Sequence, residues 1–164
     1  MEELPCGQSK RHEGTMRRSP DELERLVTAY WLNYRDINVE AENQKNELLV
    51  DDRSRLEALR KWKEPKYFWA AEEIGDAVEE GQSDIVELLV VLAEAVPDDV
   101  GALAFLGAGP IEDLLLGRAD EFIDQIELAA EEVPSFRTAL RCAWFDDHVS
   151  SEHAARLRKF GQPL

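Results

Sequence analysis

Three groups of residues in this 164-residue chain have types and spacings that could do chemistry. The first is the corner Gly107-Ala108-Gly109-Pro110, followed by Glu112 and Asp113. Glycine-rich turns ahead of a helix can hold phosphate on free backbone N–H groups, and paired carboxylates serve acid–base or metal chemistry. Geometry accounts for the corner more simply. Gly107 stands where a preceding helix needs a left-handed C-cap, Gly109 where the next needs an N-cap, and Pro110 at that helix's first position. Glu112, three residues after Gly109, would reach back to the open N–H groups and fill the place an anion would take. Glu112 and Asp113 are adjacent, so on a helix they diverge by about 100°. Catalysis would need a carboxylate from another helix, and no catalytic residue is assigned.

The second group is Glu72, Glu73, Asp76, Glu79 and Glu80, crowded on one helix face with Trp69 one turn ahead. Like charges at i,i+4 cost a helix about 0.2 to 0.5 kcal/mol per pair. A stripe that opposes its own helix is either a solvated face or a docking face for a basic partner, with Trp69 as a candidate anchor. The third group, Asp146, Asp147, His148 and His153, holds metal-ligand types in a poor order. The two histidines are five apart, off a shared helical face, with no Glu-x-x-His or His-Glu-x-x-His pattern. No metal ligand set is assigned. Asp52, Glu64 and Lys66 have the order of a nuclease site but would need strands. Cys142, spaced with Phe136, Leu140 and Trp144, reads as an inert buried thiol. No nucleophile elbow, Walker loop or dinucleotide fingerprint is present, so no cofactor is expected.

The run Leu106-Gly107-Ala108-Gly109-Pro110-Ile111-Glu112-Asp113-Leu114-Leu115 resembles the hallmark of a family of helical bacterial domains of unknown function. The likeness spans mainly residues 67–144 and continues through Phe122–Glu127 and Pro134–Arg137 to Trp144. It implies a helical architecture and ranks Glu112 and Asp113 first if a site exists; it transfers no activity.

The elements that must position these residues read as helices throughout. Residues 1–18 carry three acidic and four basic residues and no hydrophobic period, which predicts a disordered tail, with Met16 as an alternative start. The single domain is then 19–164. Ser19-Pro20-Asp21-Glu22 forms a capping-box start, and Leu23, Leu26, Val27, Tyr30, Trp31 and Tyr34 follow at helical spacing. A polar stretch, Asp36–Glu47, precedes a weaker stripe of Leu49, Leu56, Leu59 and Trp62, stopped by Pro65. Tyr67, Ala71, Ile74, Gly75 and Val78 outline the inner face of the next helix, with Gly81 as its C-cap. Ser83 opens a central helix, apolar almost all round through 85–93. A short helix is predicted from Pro97 to Leu106 and another from Pro110 to about Gly117. The pattern Phe122, Ile123, Ile126, Ala129, Ala130, Val133 follows, then Phe136, Leu140 and Trp144 after Pro134. A last helix starts at Ser150 or Ser151. No alternating strand pattern occurs. The expected fold is all-α, a single domain of about seven short helices in a bundle or short helical-repeat stack.

Composition limits the function. The chain has 44% hydrophobic and 33% charged residues, enough to bury a core. Its 35 carboxylates against 19 Lys and Arg give a net charge of −16, which opposes nucleic acid and anionic lipid as partners. Two distant cysteines fit a reducing cytoplasm, and no run reaches the roughly 20 apolar residues of a membrane span. The expectation is a cytoplasmic, non-enzymatic, acidic interaction domain, immunity- or antitoxin-like, that binds a basic protein. The alternative is a small metal-dependent hydrolase using Glu112 or Asp113 with a carboxylate from another helix.

Overall fold

A computed structural model of the chain describes residues 18–47, 66–99, 101–145 and 149–161, with side chains in the first helix as far as Val39. The fold is all-α, with no strand among the described residues. Residues 1–17 of the predicted tail and the Leu49–Trp62 stripe lie outside the described residues, as do Asp52, Glu64, Asp146, Asp147 and His148; Arg18, the last residue of that tail, is described and bonded to the fold.

Helix α1 (Pro20–Glu47) begins as its sequence dictates. The Ser19 N–H and hydroxyl donate to Glu22 Oε2 at 2.9 and 2.7 Å, and the Glu22 N–H returns to Ser19 Oγ at 3.4 Å. These bonds hold the Glu22 carboxyl below its ordinary range. The helix continues through Asp36–Glu47, where the sequence suggests a connector. Between Pro20 and Pro65 there is no glycine or proline to stop it. Its inner face packs on α2 (Phe68–Glu80) and reaches α3 (Ile85–Glu94). Trp31 Nε1 donates to Leu92 O at 3.2 Å, Tyr34 donates to Asp99 Oδ1 at 3.0 Å, and the Tyr30 and Tyr34 rings meet Phe105. Asn33, on the Leu26–Tyr30 stripe, is fully buried with neither amide atom bonded.

Gly81 closes α2 as predicted, in the left-handed region (φ 67°, ψ 48°), its N–H meeting the carbonyls of Ala77 and Val78. Helix α3 is the central helix, with Ile85, Val86, Leu88, Leu89, Leu92 and Ala93 all buried. Asp84, rather than Ser83, precedes it and makes no side-chain cap bond. Helix α4 (Ala102–Leu106) starts later than Pro97 because Asp99 folds the chain first, accepting from the Gly101 N–H at 2.7 Å.

At the corner the structure corrects the sequence reading. Gly107 is right-handed helical (φ −69°, ψ −53°) and caps nothing in the left-handed sense. Glycine is needed for proximity instead: a Cβ there would lie 2.0 Å from Ala139 O and 2.9 Å from Cys142 Cβ. The chain passes through a wide turn, Gly107–Ile111, kinked at Gly109 (φ −119°, ψ −111°), directly into α5 (Glu112–Glu132). Gly117 does not end a helix; α5 runs on through a local break at Arg118 (φ −146°, ψ 27°). Val133 turns extended, Pro134 restarts the chain as α6 (Pro134–Leu140), and Arg137 reaches back to Ala130 O and Glu131 O at 2.6 and 2.7 Å. Helix α6, with Phe136, Ala139 and Leu140 buried, lies at the centre against α3, α4, the wide turn and α5.

Helix α6 ends at Leu140, so the Phe136–Leu140–Trp144 spacing is not a helical stripe. Trp144 is 63% exposed and Cys142 half-buried, not an enclosed thiol. Helix α7 (Ser151–Arg158) is capped by Ser150, whose hydroxyl accepts from the His153 N–H at 3.2 Å, and docks on α5.

Candidate functional site

The acidic stripe of α2 and the acidic pair at the start of α5 come from sequence positions about 40 residues apart, yet part of each meets in one place. Because Ala70, Ile74, Ala77 and Val78 bury the inner face of α2, helical spacing turns Glu72, Asp76 and Glu79 outward along one edge. That edge faces the first turns of α5. Between them runs an open groove of about 800 Å³ lined by Glu72, Gly75, Asp76, Val78, Glu79, Asp113, Gly117 and Arg118.

Two glycines give the groove its depth. A Cβ built on either Gly75 or Gly117 would meet nothing within 4 Å, so the space above each is open. Gly75 is thus exposed, not part of the inner face as its spacing suggests. Arg118 fixes one end: its guanidinium donates to Glu79 O at 2.8 and 2.6 Å and to Glu121 Oε1 at 2.9 Å. It thereby satisfies a terminal carbonyl of α2 and packs where a side chain on Gly81 would stand.

Asp113 is the electrostatically unusual carboxylate of the lining. Partial burial raises its pKa, and the neighbouring Glu112 charge adds to the rise. Behind it, Tyr30 is buried with its hydroxyl unpartnered, and burial together with the Asp113 charge pushes that phenol well above its ordinary range. The arrangement disfavours negative charge and would be relieved by a cation.

The other residues singled out from the sequence fall elsewhere. Glu112 turns away from the groove and across the fold, accepting from the Trp144 N–H at 2.7 Å rather than from the N–H groups of its own helix start. Glu112→Ala removes the charged acceptor of that exposed donor, which water can replace in part, and is expected to cost about 0.5 to 1.5 kcal/mol; chemical denaturation, with faster exchange of the Trp144 amide, would show it. Glu73 is engaged by Arg18, and Glu80 accepts from Gln82. Trp69 packs against the core on the α1 side, beneath the Arg25 guanidinium at 5.2 Å, and does not line the groove. His153 faces Asp120 on α5. Among the described residues no three His, Cys, Asp or Glu side chains are placed to hold a metal ion.

Arg18 supplies a second view of this surface. Its side chain is 15% exposed, and its guanidinium donates to Glu73 Oε1 at 3.3 Å, Asp84 Oδ2 at 3.4 Å and Gln82 Oε1 at 3.1 Å. The acidic end of α2 therefore already receives one guanidinium from the chain itself. Sequence reasoning misses Gly75, Gly117, Arg118 and Tyr30 as parts of this site. Gly75 carries a signal: a glycine inside a strong helical pattern costs about 1 kcal/mol relative to alanine and asks for a reason.

Residues 57–162 match the model of a family of unknown function, DUF6869. The groove, the corner and α7 fall inside that range, whereas Arg18 and α1 precede it. No curated protein and no solved structure matches the chain.

Proposed function

The chain belongs to DUF6869, a family of unknown function, and on that premise we propose that it is a non-enzymatic acidic interaction domain whose α2–α5 groove docks a basic protein. The reading rests on one observation: Glu72, Asp76 and Glu79 of one helix and Asp113 of another line a single open groove. Arg118, the one cation among the described residues of that lining, is already bonded to Glu79 O and Glu121. A net charge of −16 would speed the approach of a cationic partner. An immunity- or antitoxin-like protein that covers the cationic site of a toxin is the concrete form of this reading, in a reducing cytoplasm.

Binding of a tetra-arginine peptide to the full chain tests it. The triple change Glu72→Gln, Asp76→Asn, Asp113→Asn is expected to weaken affinity at low salt by at least about tenfold, equivalent to about 1.4 kcal/mol. Glu94→Gln, Asp98→Asn, Glu132→Gln removes the same charge outside the groove and should have a much smaller effect. Added salt should weaken the wild-type complex. Because a bound cation favours ionised Asp113, its raised pKa should move down on binding, and affinity should fall as pH drops through the Asp113 range. Equal losses from the two triple variants would reduce the effect to overall charge and remove the groove from the argument.

A further inference from the structure

Helix α7 is held on the fold in an unusual way. It has eight residues, too few to persist as a helix alone in water, and within it Ala154 and Leu157 are the buried side chains. Just outside it, Val149 and Phe160 are half-buried against the core; the rest of its attachment to α5 runs through polar and charged side chains. His153 Nδ1 lies 3.3 Å from Asp120 Oδ1. Arg156 donates through Nε to Glu127 Oε2 at 2.8 Å and through its terminal nitrogen to Asp124 and Glu127. Lys159 Nζ lies 3.1 Å from Glu127 Oε1 and 2.8 Å from Glu131 Oε1. The basic side chains His153, Arg156 and Lys159 recur at i, i+3 and i+6, the last just past the helix end, and the carboxylates at 120, 124, 127 and 131 make one face of the other helix.

We propose that this strip of α5 is a second docking surface, shaped for a basic amphipathic helix, and that α7 is its displaceable occupant from the same chain. Charge complementarity names the partner: cationic side chains three residues apart, flanking two small apolar contacts. Ion pairs at a surface contribute little each and are screened by salt. A short terminal element that owes part of its hold to them opens locally at a lower free-energy cost than the packed central helices. When α7 leaves, Asp124, Glu127 and Glu131 lose their counter-charges, and Asp120 its histidine neighbour, beside the seats of Ala154 and Leu157, and another basic helix can take the same place. This surface is separate from the α2–α5 groove and stands or falls independently of it.

Acid should open the same contact. The groups facing it are the four α5 carboxylates, His153, Arg156 and Lys159 of α7, and Arg141, whose guanidinium abuts Gly161 beyond the helix end. Glu152 and Arg158 are exposed on α7 itself. Hydrogen bonds from Arg156, then Lys159, lower the Glu127 pKa. A lowered carboxylate contributes stability that is present above its unfolded value and lost as pH falls through the folded one.

The test uses the full chain and a labelled peptide with the sequence of residues 149–161. Arg156→Glu with Lys159→Glu repels the resident helix. The variant is expected to show faster amide exchange in α7 with α2–α6 unchanged, and to bind the peptide at least about tenfold more tightly than the wild type. Adding Glu127→Lys and Glu131→Lys should restore protection of α7 and abolish peptide binding. A folded variant that binds the peptide no better than wild type overturns the proposal. So does global unfolding of the variant, which would make α7 part of the cooperative core.

Discussion

Gly107→Ala should lower the stability of the domain by about 3 kcal/mol, at the upper end of what one added methyl does in a packed interior. The methyl would be built 2.0 Å from the Ala139 carbonyl oxygen, a backbone atom that cannot rotate aside. Relief requires the wide turn to move away from α6 and so loosens the contacts of Phe136, Ala139 and Leu140. For a domain of this size the melting temperature should fall by about 6 to 12 °C. Gly75→Ala is the control. Its new methyl meets nothing within 4 Å, and alanine in an exposed helix interior should raise stability by about 0.5 to 1 kcal/mol. A calorimetric scan of both variants checks the pair; a Gly107→Ala protein that melts like wild type would show that the crossing is not tight.

Trp31→Ala should cost about 3 to 5 kcal/mol, the range for removing a large buried aromatic side chain. The residue is 8% exposed, meets Tyr30 and Tyr34 edge-on at 5.1 and 5.8 Å, and donates its indole N–H to Leu92 O at the far end of α3. Truncation opens a cavity between α1 and α3 and removes that bond. Denaturant titration followed by Tyr fluorescence would measure the loss. If stability stayed within about 1 kcal/mol of wild type, α1 would be an appendage rather than a wall of the core.

The helix starts and stops that local chemistry marks are legible in the sequence alone: the Ser19–Glu22 box, the left-handed Gly81, Pro134 at a first helical position and Ser150 as a cap. So is the buried central helix, because a run apolar on every side has nowhere else to go. Whatever depends on long-range contact is hidden. Gly107 looks the same in sequence whether it supplies a left-handed dihedral or the absence of a side chain, and only the position of Ala139 distinguishes them. Trp144 has the right interval from Leu140 for an inner face, but the helix ends first. The groove is half visible: the α2 carboxylates and Asp113 each stand out, while nothing local tells which of them are neighbours. Glu112 and Asp113, adjacent in the chain, do different things: Glu112 accepts from the Trp144 N–H, and Asp113 lines the groove.

Helix α1 lies ahead of the range that defines the family, yet its aromatic side chains roof Phe105 and the Leu92 end of α3. A fragment trimmed to residues 57–162 would therefore leave greasy surface bare to water, and its propensity to clump would report on a missing lid rather than on a faulty fold.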